Sequence, residues 1–270
     1  MLVGVARYVK LLGHLARYTL TRELAFRGNF LVKVSVEVIW LFLIVSFYRV
    51  VFAKTSLVAG WTEDQYFFFV GCFFAMNGVI ETFFLENCND FAELVRTGDL
   101  DFLLLKPIDE QFLITCRRID WGTGLNVVMG AAIMGIALWN MGWIFDPVRV
   151  LAFVVTFACG TVITYSFMVM LTSLSVWMVR NQSLMEMWWL FMSLARYPKE
   201  IFSGTWAASM GKFFTFVLPI LLVVNMPSTS MVRVLEPSMV AFTLTATVAS
   251  FLASRWFFRY ALRSYRSASS

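Results

Sequence analysis

The chain has 270 residues, of which 60% are hydrophobic and only 14% are charged. Soluble globular domains carry roughly 45–50% apolar and about 25% charged residues, and a chain of this size has too little interior to bury the excess. The mean hydropathy of +0.74 therefore excludes a soluble protein and predicts an all-α integral membrane protein. The net charge of +5 then bears on orientation in the membrane rather than on nucleic-acid binding.

Several kinds of active site are excluded by residue types and motifs that the sequence lacks. His14 is the single histidine, and the four cysteines form no C-x-x-C pair. A metal cluster of thiolates or imidazoles is therefore not expected. The phosphate-binding motif G-x-x-x-x-G-K-[ST] does not occur, so the chain is not expected to bind a nucleotide. We expect no cofactor, no metal and no catalytic residue here, which leaves an intramembrane enzyme without support.

The first 29 residues predict an amphipathic elbow helix that lies on the membrane surface. At 100° per residue, polar and apolar side chains of residues 5–24 fall on opposite sides. The polar arc holds Arg7, Lys10, His14, Arg17 and Thr21. Two interpretations stay open: a generic basic anchor, or a helix that braces the first span and lies against a partner.

Six apolar segments are long enough to cross a hydrocarbon layer of roughly 30 Å. They are Phe30–Val51, Tyr66–Leu85, Trp121–Met141, Pro147–Met178, Gln182–Ser203 and Pro237–Phe258. A further run, Phe213–Met226, is only 14 residues long and contains Pro219. Residues 204–236 are therefore predicted to hold a re-entrant or interfacial helical pair rather than a further crossing.

The distribution of Lys and Arg predicts the orientation of the chain. With the N-terminus inside, 14 of the 22 basic residues fall in cytoplasmic segments, and Arg180 is one of them. Only Lys54, Lys212 and Arg233 fall in external segments. By the positive-inside rule, both termini, the loop at residues 86–120 and the tail at 259–270 are predicted to be cytoplasmic.

The loop at residues 86–120 is too long and too charged for a plain turn. Asp90 followed by Glu93 predicts a helix start with an acidic capping box. Gly98 is expected to break that helix, and Asp99 is expected to cap a second one that a Lys-Pro pair ends. Two interpretations stay open: these short amphipathic helices pack under the spans or among headgroups, or they dock into a groove of a soluble partner.

Polar residues inside the spans are costly in lipid and need partners. Lys33 and Glu37 are four residues apart and are expected either to pair with each other or to extend their charged ends to the interface. Asn77 and Glu81 share one face of the second span, where a polar contact between helices is expected. Pro198 lacks the amide hydrogen that a helix interior needs, so a kink is expected there.

The string from Val95 to Pro107, VRTGDLDFLLLKP, resembles the cytoplasmic signature of type-2 ABC exporter permeases. The sequence Arg196-Tyr197-Pro198 resembles the fifth-span motif of the single-domain permeases in that class. The order of an amphipathic start, six spans, a loop after span two and a re-entrant region fits that family along nearly the whole chain.

The resemblance implies a permease subunit in the bacterial cytoplasmic membrane that works as an exporter. The 28 Phe and ten Trp residues would give a lipophilic cavity wall, which suits a lipophilic or amphipathic substrate. The resemblance also implies a separate cytosolic ATPase dimer that binds ATP and Mg²⁺, and a second permease, identical or related, beside this chain in the lipid. The residues expected to couple to the ATPase are Phe91, Leu94, Arg96, Gly98, Asp99, Leu100, Asp101, Leu103, Lys106 and Pro107. The candidate gate or kink residues are Arg196, Tyr197, Pro198, Glu200 and Pro219. The alternative function is an ion-coupled carrier or channel subunit, which predicts matching broken helices in the two halves of the chain.

Overall fold

The computed structural model describes residues 2–178, 182–204, 207–234 and 236–265, which are helical and contain no β-strand. The helices in these ranges are α1 Leu2–Ala25, α2 Arg27–Phe52, α3 Glu63–Thr97, α4 Leu100–Leu104, α5 Glu110–Cys116, α6 Trp121–Asn140, α7 Pro147–Leu174, α8 Gln182–Ala195, α9 Ala208–Val217, α10 Ile220–Val232 and α11 Pro237–Ser264. A short 3-10 helix, Lys199–Ser203, follows α8. Arg180, counted above among the cytoplasmic basic residues, lies outside the described residues.

Five helices are long and apolar enough to cross a membrane, namely α2, α3, α6, α7 and α11, and a sixth is reached if the bent pair α9–α10 is one span. The predicted all-α integral membrane fold is confirmed. The predicted fifth span, Gln182–Ser203, is wrong in its extent as a helix, because α8 ends at Ala195. Pro198 explains this end, since proline disfavours the α conformation in the residue before it and lacks the amide hydrogen.

Helix α3 is the longest helix and runs through the centre of the bundle. Its 35 residues continue from the predicted second span into the loop region, with a π-helical turn at Glu81–Leu85. The predicted helix start at Asp90 is therefore wrong, because Asp90 lies inside α3 and pairs with two arginines instead of capping. At 1.5 Å per residue α3 is about 52 Å long, so it extends beyond a hydrocarbon layer of roughly 30 Å.

The core forms where three helices pack around α3. Helix α6 lies along one side of α3, and α7 and α10 lie against the other. The α3–α6 approach requires Gly130, since a Cβ atom there would lie 2.5 Å from the backbone nitrogen of Ala75. Likewise, a Cβ on Gly160 of α7 would lie 2.4 Å from the carbonyl oxygen of Val223 in α10. Small residues thus let helix backbones meet closely, which stabilises helix association in lipid.

The bent pair α9–α10 leaves one end of the bundle and returns to it. The axis turns by 85° at the break before α10, where Pro219 stands. Glu200, before the pair, and Arg233, after it, form an ion pair at 3.6 Å. Because the two flanks of the segment meet, this geometry agrees with the predicted re-entrant pair. Helix α10 is almost wholly buried, so this half of the bent pair is surrounded by protein rather than lipid.

The two ends of the bundle differ in composition. We call the end that carries α1, α4, α5 and the last turns of α11 the basic end, and the end that carries Trp61 and Arg233 the far end. At the basic end, α1 lies against α5 and α6, with Tyr8 against Phe112 and the Trp121 indole N–H donating to the Ala16 carbonyl at 3.1 Å. The predicted polar arc of α1, Arg7 to Thr21, is exposed.

Candidate coupling surface and intramembrane polar site

The turn between α3 and α4 depends on Gly98. Its φ of 81° lies in the left-handed region that glycine adopts at low cost, and it ends α3 as predicted. Asp99 occupies the position before α4, but its carboxylate makes no capping bond to the α4 backbone. That carboxylate instead accepts a hydrogen bond from the Thr97 hydroxyl at 2.9 Å. The sequence therefore predicted the turn correctly and the hydrogen bond of Asp99 wrongly.

A buried apolar cluster anchors this turn to the spans. Phe91 and Leu100 are wholly buried, Leu94 is nearly so, and Leu103 packs against them. The cluster also contains Ile114 of α5, Val169 of α7 and Phe258 of α11. Leu100 thus faces the bundle, which differs from the expectation that it fills a groove on a partner.

The opposite side of α4 is open. Phe102 is 70% exposed and Leu105 is 82% exposed, at the outermost part of the basic end. Charged side chains beside them, Arg96, Asp99 and Lys106, are exposed as well. We call these five residues the coupling surface. Of the other residues expected to couple, Pro107 is exposed, and Gly98 and Asp101 are partly exposed.

A polar clamp joins the end of α3 to the segment before α6. The Asp90 carboxylate accepts from Arg117 at 2.8 Å and from Arg118 at 2.5 Å. The Asn87 amide donates to the Arg118 carbonyl at 2.7 Å and accepts from its N–H at 2.9 Å. Burial, followed by repulsion from Arg118, lowers the pKa of Arg117, and Asp90 opposes both effects. The clamp fixes the angle at which α3 reaches the coupling surface.

Asp109 is a second junction at the basic end, and it joins α1, α5 and α11. Its carboxylate caps α5 by accepting from the Phe112 N–H at 3.0 Å, and it accepts from Arg255 of α11 at 2.8 Å. Its own N–H donates to the Tyr8 hydroxyl of α1 at 3.0 Å. The hydrogen bond from Arg255 holds the pKa of Asp109 below its ordinary value.

The candidate gate residues lie on two sides of the break after α8. The Arg196 guanidinium lies over the rings of Trp40 and Phe73, at 5.5 Å and 5.4 Å from their centroids. Glu200 accepts from the Trp61 indole N–H at 3.0 Å and pairs with Arg233. Pro198 is buried at the start of the 3-10 helix, Tyr197 is 40% exposed, and Pro219 stands at the 85° bend.

The polar residues inside the spans pair differently from the prediction. The Lys33–Glu37 pair is wrong, because Lys33 binds Asp120 at 2.7 Å. Glu37 instead accepts from the Asn126 amide at 2.8 Å. The spacing of four residues allowed a local pair, but Asp120 is the more deeply buried carboxylate.

One amide of α6 completes this intramembrane site. The same Asn126 nitrogen that binds Glu37 also donates to Glu81 at 3.3 Å, and Asn77 donates to Glu81 at 2.7 Å. The polar contact between helices that was predicted at Glu81 is confirmed by Asn126 of α6, whereas the Asn77–Glu81 bond lies within α3. Sequence reasoning missed Asn126, although an asparagine in an apolar span was a usable signal.

A cavity of about 320 Å³ opens onto these carboxylates between α2 and α8. Its apolar walls are aromatic side chains of α2, α3 and α8. They are Trp40, Phe73, Phe74 and Trp189. Among the residues that the structure describes, no group of three or more metal-ligating side chains is suited to hold an ion.

The fold and these sites define a multi-pass α-helical membrane protein with a large loop structure at one end. A family model described as ABC-2 family transporter protein matches residues 38–269. The chain belongs to this family and is therefore a permease of the ABC transporter class. This membership does not favour the ion-coupled carrier. No curated protein and no solved structure matches the sequence.

Proposed function

We propose that the chain is the membrane-spanning subunit of an ABC exporter in the bacterial cytoplasmic membrane, with the basic end in the cytoplasm. ATP and Mg²⁺ bind to a separate ATPase dimer, and this chain itself catalyses no reaction. A second permease, identical or related, completes the pathway in the lipid. The cargo is lipophilic or amphipathic.

The observation that carries the proposal is the coupling surface. Phe102 and Leu105 are exposed at an end rich in charge, and no described part of the chain covers them. Short amphipathic helices are commonly recognised by insertion of such side chains into an apolar groove. Arg96, Asp99 and Lys106 surround them and orient a charged partner. Because the chain has no phosphate-binding motif of its own, we infer that these side chains insert into a groove on a separate ATPase.

The structure of the basic end supports a way to transmit movement. A push on α4 reaches Leu100, whose buried cluster includes residues of α7 and α11. The same push reaches α3 directly, because α3 continues from the coupling turn into the membrane without a break. The Asp90 clamp keeps α3 and the start of α6 together during this movement. Packed elements of this kind shift as rigid bodies.

Co-purification tests the docking step. The full chain is expressed with the ABC ATPase subunit encoded beside it, and the complex is isolated through a tag on the permease. Leu105→Asp and Phe102→Asp are expected to prevent co-purification of the ATPase, because each variant would bury a charged carboxylate in an apolar groove. Ile144→Asp is the matched control: Ile144 is 86% exposed but lies at the far end.

The control variant is expected to retain the ATPase at the wild-type ratio. Equal retention by Leu105→Asp and Ile144→Asp would contradict the assigned docking surface. Full transport by the permease alone, in vesicles without any ATPase, would overturn the proposed class of transporter.

A further inference from the structure

The cavity between α2 and α8 is lined by two carboxylates, those of Glu37 and Glu81, and by one guanidinium. Glu37 and Glu81 are bridged by one neutral amide, that of Asn126. Among the described residues, Arg196 also lines this cavity but forms no ion pair with either carboxylate. Two carboxylates held together inside membrane-spanning helices are costly unless they have partners.

Asn126 holds the two carboxylates together beside the cavity. The residue is 3% exposed and lines the cavity, and its nitrogen serves both carboxylates. Its Oδ1 atom has no hydrogen-bond partner among the residues that the structure describes. This oxygen is inaccessible, so the acidic groups that a ligand in the cavity would meet are the carboxylates of Glu37 and Glu81.

The walls of the cavity already accept a cation. The Arg196 guanidinium lies over Trp40 and Phe73 at the centroid distances given above, which is within the range of cation–π attraction. This cation belongs to the chain, and it occupies the aromatic faces without reaching the carboxylates. Phe74 and Trp189 extend the apolar wall. The cavity thus combines a place for an apolar body with a place for one positive charge.

From these contacts we propose that the cavity is the cargo site and that it binds a monovalent organic cation with an aromatic or aliphatic body. This inference rests on the proposed transport function and narrows its lipophilic or amphipathic cargo to cations. The charge of the cargo lies against Glu37 and Glu81, and its body lies against Trp40 and Phe73. Arg196 competes with the cargo for the aromatic faces and must move aside when the cargo binds.

Equilibrium binding to the purified full-length permease tests this site without the ATPase. The probes are tetraphenylphosphonium and tetraphenylborate, which have nearly the same shape and opposite charge. Saturable binding of the cation only is expected. Glu37→Gln and Glu81→Gln are each expected to weaken it about tenfold. Asp64→Asn is the matched control, because Asp64 lies on α3 near the far end, bonded to Asn140, and is expected to bind like wild type.

Arg196→Gln is expected to change the affinity for the cation in the opposite direction. Removing the competing guanidinium is expected to tighten cation binding, and this outcome stays decisive if the glutamate variants do not fold. Tetraphenylborate binding as tight as that of the cation would overturn the proposal. So would wild-type affinity in both glutamate variants, or unchanged or weaker affinity in Arg196→Gln. Because the ATPase is absent, these results leave the co-purification test independent.

Discussion

Helices α2 and α3 are neighbouring apolar runs in the sequence, yet they occupy opposite environments. In the most apolar 18-residue window of α2 no residue is buried by the rest of the chain, whereas 72% of the α3 window is. The more hydropathic helix is the exposed one. Hydropathy therefore indicates that a helix can lie in lipid. Side-chain size and the spacing of small residues determine whether other helices pack around it. The following variants test this contrast in order of expected effect.

Removing an aromatic ring should give the largest difference in unfolding free energy between variants of the two helices. Phe69→Ala in α3 removes a wholly buried ring and leaves a cavity, so we expect a loss of about 3 kcal/mol in unfolding free energy. Phe42→Ala in α2 removes a ring that is 68% exposed and should change little. Unfolding of the purified variants in mild detergent measures both. Similar losses in the two variants would refute the contrast.

Adding one methyl group should give changes of opposite sign. Gly130→Ala forces α6 away from the α3 backbone, and we expect a loss of about 1–3 kcal/mol. Gly28→Ala in α2 meets nothing within 4 Å, so it should be neutral or stabilise the helix by up to about 1 kcal/mol. Thermal unfolding in the same detergent distinguishes them. A stable Gly130→Ala protein would show that α6 does not pack on α3 as described.

The stability of the chain should depend more on the partly buried ion pair of Asp90 in α3 than on the exposed ion pair of Glu93. Asp90→Asn leaves Arg117 poorly compensated, and Arg117 is only 17% exposed, so we expect a loss of about 1–2 kcal/mol. Glu93→Gln, one turn further along α3, removes an exposed pair with Arg96 and should leave the free energy of unfolding nearly unchanged. Chemical unfolding of both variants provides the comparison, and an equal cost would argue against the clamp.

Most of helix α1 is exposed, as is most of α2. One contact that holds α1 against the bundle is the hydrogen bond from the Asp109 N–H to the Tyr8 hydroxyl. Because the pKa of Asp109 is lowered in the folded chain, its ion pair stabilises above the ordinary aspartate pKa and is lost as the pH falls through the lowered value. Asp109→Asn should thus cost about 1 kcal/mol at pH 7, and this cost should shrink as the pH falls below the ordinary aspartate pKa. Unfolding temperatures of both proteins across this range measure the difference, which a pH-independent gap would contradict.

The spans other than the fifth, the first helix and the break at Gly98 were predictable because each depends on local sequence. Lipid thickness sets the length of an apolar run, and a left-handed turn needs glycine. Asp90 was misread because an acidic capping pattern also occurs inside a helix, and its arginine partners lie 27 and 28 residues away. Lys33 was misread for the same reason, since its partner Asp120 is distant in sequence. Pairing across helices requires the packing that the sequence alone does not specify.

The π-helical turn at Glu81–Leu85 gives α3 one residue more than an α-helix of the same axial length would need. A chain that lacked one residue of this turn could close it into ordinary α-helix while keeping Phe69 and Phe91 on their present faces. Glu81 stands at the first position of the turn. Such a shortening would leave the buried contacts of Phe69 and Phe91 in place and rotate only the turn that carries the Glu81 carboxylate. The widened turn therefore lets the membrane part and the loop part of one continuous helix tolerate length changes at a single place.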